Sequence, residues 1–149
     1  MRAIVQRVSR ARVSADGEVV GEMGAGLLAL VGVERGDRPE DAEVLAGKLC
    51  DLRVFEDDAS RMNLSLLEVG GSLGVVSQFT LLGDCRKGRR PSFGDAAPPE
   101  AAEPLIDRVV HAARSRGVTT ITGRFHSRMQ LELANEGPVT LLLDTRRVL

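Results

Sequence analysis

The apolar positions change period along the chain, and the changes divide it into elements. Residues 2–9 and 11–15 carry β-branched Ile4, Val5, Val8 and Val13 between polar neighbours, a strand pattern. Asp16-Gly17 marks a tight hairpin turn, and residues 18–23 return as the partner strand. Leu27 to Val33 is almost wholly apolar, as expected of a central strand buried on both faces. The period then becomes helical, with Ala42, Leu45, Leu49 and Leu52 on one side. Asp37 is placed to cap that helix, with Pro39 in the first turn and Glu40 three residues on. Arg53-Val54-Phe55 reads as a short strand. After Gly70-Gly71, Leu73, Val75 and Val76 open another. A second helix is expected from about Glu100 to Arg116, with Ala102, Leu105, Ile106, Val109, Val110 and Ala113 as its core stripe and Gly117 as its stop. The last third is β. Val118 to Ile121 forms one strand, and Met129, Leu131 and Leu133 then alternate with Arg128, Gln130 and Glu132. An apolar strand ends at Leu143. The pattern predicts an α/β fold: a single domain over residues 1–149, with mixed, mainly antiparallel β-sheets packed in layers with two α-helices.

Composition narrows the function. A chain of 149 residues can bury a proper core. Its net charge is -1, so any contact with nucleic acid must come from a local patch. Aromatic content of 3%, without Trp or Tyr, argues against a platform that stacks successive single-stranded bases. Cys50 and Cys85 match no metal-ligand spacing and suit a reducing compartment. Met1 to Arg7 is too short and polar for a signal peptide, and no stretch is long enough to span a bilayer. A soluble cytoplasmic protein is expected. Glu56-Asp57-Asp58 has neither the alternating oxygens nor the glycine of a calcium loop, so it reads as a solvated turn. His111 lies off the second helix's core stripe and reads as surface.

Candidate chemistry sits in two short stretches. In the first, Ser77, Gln78 and Thr80 interrupt an apolar strand, with Phe79 between them. Polar side chains buried at a strand end need hydrogen-bond partners, from the protein or from a ligand. Gly83-Asp84 and a basic loop, Arg86-Lys87-Gly88-Arg89-Arg90, follow directly. The stretch is either a small pocket beside an anion-binding surface, or a satisfied strand end with a solvated loop. The long irregular connection through Pro91 and Pro98-Pro99 is of a kind often found at functional sites. In the second stretch, Asn135-Glu136-Gly137-Pro138 joins two strands without being a standard hairpin loop. It is either an ordinary proline turn or a rigid backbone wedge that projects carbonyl oxygens. Arg7, among apolar neighbours, is either edge-exposed or reaches over a pocket.

Taken together, Ser77-Gln78-Phe79-Thr80-Leu81 and Asn135-Glu136-Gly137-Pro138-Val139-Thr140 resemble the paired signatures of the D-aminoacyl-tRNA deacylase family. Met1 to Val8, Phe55 to Ser65 and Arg86 to Phe93 resemble further segments of it, so the likeness covers nearly the whole chain. The resemblance implies a homodimer without metal or cofactor that hydrolyses the ester between a D-amino acid, or glycine, and the terminal adenosine of tRNA. Gly137 and Pro138 would be the chiral filter, through a cis peptide bond reaching from one subunit into the active site of the other. Arg7 would brace it. Ser77, Gln78 and Thr80 would form the catalytic edge, and Phe79 and Met129 would help to bind the substrate. Arg86, Lys87, Arg89 and Arg90 would contact tRNA phosphates. Thr80 has no base within its motif to activate it, which favours an account in which the tRNA's terminal 2′-hydroxyl takes part and the protein positions the ester. His126-Ser127 departs from the family's usual Gly-Ala. Two competing readings are a non-catalytic tRNA-binding module and a Thr-dependent general esterase.

Overall fold

The computed structural model describes residues 1–149. One strand organises it. β1 runs unbroken over Arg2–Ala15 where the sequence suggested two strands. Its N-terminal half pairs antiparallel with β3 (Gly26–Gly32), and its C-terminal half with β2 (Glu18–Met23). Its whole length pairs antiparallel with β8 (Met129–Asp144). Beyond β3 the sheet continues in parallel through β6 (Ser72–Ser77) to β7 (Thr120–Thr122). A separate ribbon joins β4 (Phe55–Glu56) to β5 (Met62–Leu64). The fold is the expected mixed α/β arrangement.

The two expected helices are present as α1 (Pro39–Asp51) and, with α2 taken by a shorter element, α3 (Pro99–Ser115). That shorter element, α2 (Leu66–Val69), is a third helix that the sequence reading missed. It is capped by the Ser65 hydroxyl, which accepts from the Glu68 amide. Four residues are too few to show a period. The stripes of α1 and α3 pack with Val5, Leu27, Ala29, Val31, Leu73 and Val75 into the larger core. A smaller core of Val8, Val13, Met23, Leu28 and Val76 fills another part of the sheet system.

Asp37 does not cap α1. Arg38 is the N-cap residue, and Asp41 accepts its amide at 2.9 Å. The Asp37 carboxylate is fully buried and lies 2.9 Å from the Met1 ammonium and 3.0 Å from Arg146 Nη2. A buried carboxylate needs such partners, and that demand outweighs the local capping signal.

Several surface carboxyls are held below their ordinary range by hydrogen bonds. Asp41 accepts from the Arg38 amide, Asp51 from the Arg116 guanidinium, and Asp57 from the Arg61 amide. Each binds its proton more weakly folded than unfolded, so its contribution to stability is present above about pH 4 and lost as pH falls through the folded values. Thermal melts should give a flat Tm from pH 7 to 5 and a decline below about pH 4. A Tm unchanged down to pH 3 would contradict this.

Candidate active site

β6 ends at Ser77, opposite Val31 of β3, and the Gln78 amide still donates to the Val31 carbonyl at 2.8 Å. There the strand stops. Phe79–Leu82 forms one 3₁₀ turn, closed by Leu81 N–H to the Gln78 carbonyl at 3.2 Å and by Gly83 N–H to the Thr80 carbonyl at 3.0 Å. Leu82 is buried and anchors the turn against β3. The approach is close enough to require Gly32: a Cβ there would lie 2.6 Å from Leu82 Cδ2 and 3.1 Å from the Gln78 carbonyl oxygen. The anchored turn leaves Thr80 and Phe79 exposed, and the Gln78 amide nitrogen donates to Thr80 Oγ1. An exposed phenylalanine is unusual, and Phe79 is 56% exposed. Its one aromatic neighbour is Phe93, edge to face at 5.2 Å.

Ser77 faces a different space from Thr80. It helps to line a small cavity of about 30 Å³, together with Asp107, Thr122, Arg124, Phe125 and Met129. The structure therefore brings Met129 to Ser77 from a distance of fifty-odd positions in sequence. Gly123 is small because Met129 needs the room: a Cβ at Gly123 would lie 2.5 Å from the sulfur. Phe125 and Asp107 were not identified from sequence. Phe125 sits in an irregular segment, and Asp107 lies on α3 off the apolar stripe, where a carboxylate gives no signal. His126 does not line this cavity. It is exposed, has a left-handed backbone (φ 58°), and lies 3.8 Å from Glu103.

The second motif is not a joint between two strands. β8 continues through it, and both flanks pair with β1. Gln6 faces Thr140 and Val8 faces Asn135, so two steps along β1 oppose five along β8, and three extra residues bulge outward. Asn135 closes the bulge. Its Oδ1 accepts from Val139 N–H at 2.8 Å, and its Nδ2 donates to the Val139 carbonyl at 3.0 Å and to Thr140 Oγ1 at 3.2 Å. Glu136, Gly137 and Pro138 are left exposed, with the Gly137–Pro138 peptide cis. Arg7 is not at an exposed edge. It is 8% exposed, and its guanidinium donates through Nε to the Glu136 carbonyl at 3.0 Å and through Nη1 to the Val54 carbonyl at 2.7 Å. It ties the bulge to the segment before β4.

Residues 4–144 match the model of the family described as D-Tyr-tRNA(Tyr) deacylase. The chain belongs to this family. It is 60% identical over 148 residues to a D-aminoacyl-tRNA deacylase of Anaeromyxobacter dehalogenans (strain 2CP-C), covering 99% of both chains. It is 56% identical to one of Geobacter sulfurreducens (strain ATCC 51573 / DSM 12127 / PCA), covering 98% of this chain and 96% of the relative. Among solved structures, one titled "c-Myc DNA Unwinding Element Binding Protein" is 35% identical with a TM-score of 0.90, covering 97% of this chain and 98% of that one. A probable eukaryotic D-amino acid tRNA deacylase superposes with a TM-score of 0.82 over 95% of this chain and 97% of its own; at 21% identity it speaks to the fold. In this deacylase-family chain, the two signature motifs lie on different elements, one after β6 and one within β8. No hydrogen bond joins the Glu136–Pro138 bulge to the Ser77–Thr80 segment.

Proposed function

We propose that this chain hydrolyses the ester of D-aminoacyl-tRNA and rejects the L-ester. What carries the reading is the polar end of β6 and the turn after it, Ser77 to Thr80, with Ser77 on a small cavity, in a chain 60% identical to a D-aminoacyl-tRNA deacylase. The 3₁₀ turn leaves Thr80 exposed above a buried anchor, and half-buried Gln78 keeps its side-chain amide nitrogen on Thr80 Oγ1, so the pair meets the ester together. The cavity at Ser77 and Met129, with Phe125 on its wall, has room for about one water as it stands, so the terminal adenosine enters it only if Met129 or Phe125 moves aside. Water adds to the ester carbonyl carbon, the bond to the ribose 3′-oxygen breaks, and that oxygen leaves with a proton. The neighbouring 2′-hydroxyl is the group best placed to pass protons, because no His or carboxylate hydrogen-bonds to Thr80. Gln78 and Thr80 orient the ester and stabilise its developing oxyanion.

The bulge supplies the selection. Its exposed Gly137 and Pro138 present backbone rather than a long side chain, and a side chain of the wrong hand meets that backbone whatever its chemistry. The resemblance of the two motifs to the family's paired signatures supports a homodimer in which each subunit's bulge reaches the other's active site. A glycyl ester has no side chain to collide, so glycine mischarged onto alanine tRNA falls within the same substrate class. A cytoplasmic setting fits such a substrate; no helix of the chain is long and apolar enough to cross a membrane.

The deciding assay charges one tRNA with D-tyrosine or L-tyrosine and follows deacylation by the purified protein. Cleavage of the D-ester alone is expected. Retention of tRNA without turnover would favour a binding module, and equal cleavage of both esters would remove the filter. In the same assay Thr80→Ala should lower kcat about a hundredfold, the loss of one donor to the developing oxyanion. Complete loss of turnover would make Thr80 the nucleophile.

A further inference from the structure

The basic loop carries four cations, but the structure does not leave all four free. Asp84 and Ser92 pair through both backbone hydrogen bonds, at 2.7 and 2.9 Å, and close the loop at its base. Asp84 then turns its carboxylate onto Arg86. Oδ1 accepts from the Arg86 amide at 3.0 Å and from Nε at 2.9 Å, and Oδ2 accepts from Nη2 at 2.8 Å. Such a forked pair fixes geometry more firmly than a single contact. Lys87, Arg89 and Arg90 are exposed, and none forms an ion pair within the chain. The loop base also touches the proposed catalytic turn. Phe93, next to Ser92, packs on Phe79, and a Cβ at Gly83 would lie 3.0 Å both from the Phe93 ring and from the Thr80 carbonyl oxygen.

We infer that the Asp84–Arg86 pair is a latch that commits one cation to shaping the loop, so that Lys87, Arg89 and Arg90 form a prearranged grip on phosphates at the 3′ end of the tRNA. The inference rests on the deacylase reading of the site and adds to it which cations bind and which one positions. Reach favours the 3′ end over more distant parts of the tRNA. Half of a seven-residue loop extends at most about 12 Å from its base. The base stands beside Thr80, so the three cations meet the phosphates nearest the reacting ester. The loop therefore acts on affinity and register, and leaves recognition of the amino acid to the turn and the bulge.

Two substrates and two variants test this. The substrates are D-tyrosyl-tRNA and a D-tyrosyl ester of adenosine, which carries no phosphate. For the triple variant Lys87→Ala, Arg89→Ala, Arg90→Ala, the preference for tRNA over the adenosine ester should fall at least tenfold. The fall should appear in KM, and the slope of log KM against log salt should drop by about 2, for three phosphate contacts to a single strand. Asp84→Asn separates latch from charge, because it makes the loop one unit more positive while weakening the hold on Arg86. A latch predicts a severalfold higher KM for tRNA. Loose electrostatic attraction predicts a lower one, and a lower or unchanged KM overturns the latch. An unchanged preference in the triple variant overturns the grip, as does an equal loss on both substrates, which would mean that the loop only supports Thr80. If the wild-type protein cleaves neither ester, the deacylase reading itself fails; if it cleaves both and the triple variant matches it, the grip alone fails.

Discussion

Gly137→Ala should lower D-aminoacyl-tRNA deacylation about a hundredfold and collapse the ratio of D- to L-ester cleavage. The reason is space and backbone angle together. Gly137 has φ +136°, a conformation that L side chains rarely adopt. An added Cβ would lie 2.8 Å from Val139 Cγ2, 3.0 Å from the Val139 amide nitrogen and 3.1 Å from Arg7 Nη2. Val139 is buried and Arg7 is held by two carbonyls, so neither neighbour can yield freely. The bulge must shift instead. In the proposed function its backbone positions the substrate, and a displacement of about 1 Å in a positioning group costs on the order of a hundredfold in rate. The measurement is initial rates with D- and L-tyrosyl-tRNA, beside a thermal melt to establish folding. A folded variant with an unchanged ratio would remove the bulge from the site.

Arg7→Ala is expected to act on stability and selectivity together. The side chain is buried and makes two carbonyl contacts, 3.0 Å to Glu136 and 2.7 Å to Val54. Truncation leaves both carbonyls short of a donor and opens a void, at a cost of about 3 kcal/mol. For a chain of this size that lowers Tm by roughly 8 °C. The contact to Glu56 at 3.9 Å adds little, because that carboxylate is largely exposed. Without the brace the bulge moves more freely, and L-ester cleavage should rise relative to D. Arg7→Lys should fall between, since one ammonium cannot reproduce the fork that reaches both carbonyls. Denaturant unfolding and the paired esters measure the two effects. A stable Arg7→Ala variant with full selectivity would show that Asn135 alone holds the bulge.

How far these features could be read in advance depended on how local their causes are. The alternation of Met129, Leu131 and Leu133, the apolar run Leu27 to Val33 and the stripe of the helix at 99–115 each carry their own period, and each formed as expected. Asn135 to Pro138 fits either a proline turn or a backbone wedge joining two strands, because asparagine, glycine and proline serve turns and bulges alike. Only the register with β1, more than a hundred residues away, makes it a bulge. Arg7 is buried because carbonyls from two remote segments converge on it, and nothing near Arg7 in sequence signals that. The paired motifs were legible as motifs. Their placement on separate elements was not, nor was the cavity wall from Asp107 and Phe125. The basic loop was legible as charge, but the commitment of Arg86 to Asp84 depends on how the loop folds back on its base.

The pairing of β1 with β8 also bears on how the chain comes into being. Arg2 faces Asp144 and Ala15 faces Met129, so the contacts that complete the sheet close loops spanning most of the molecule. Contacts of such long range form slowly. On the ribosome, β1 emerges early and its hairpin partner β2 follows at once, but the strand that covers its other edge comes last. At ordinary synthesis rates that interval is on the order of ten seconds. Through it the nascent sheet carries an open edge of strand, able to pair with the same strand of another nascent chain. Neighbouring chains on one polysome expose the same edge at the same time, and that favours mispairing between them.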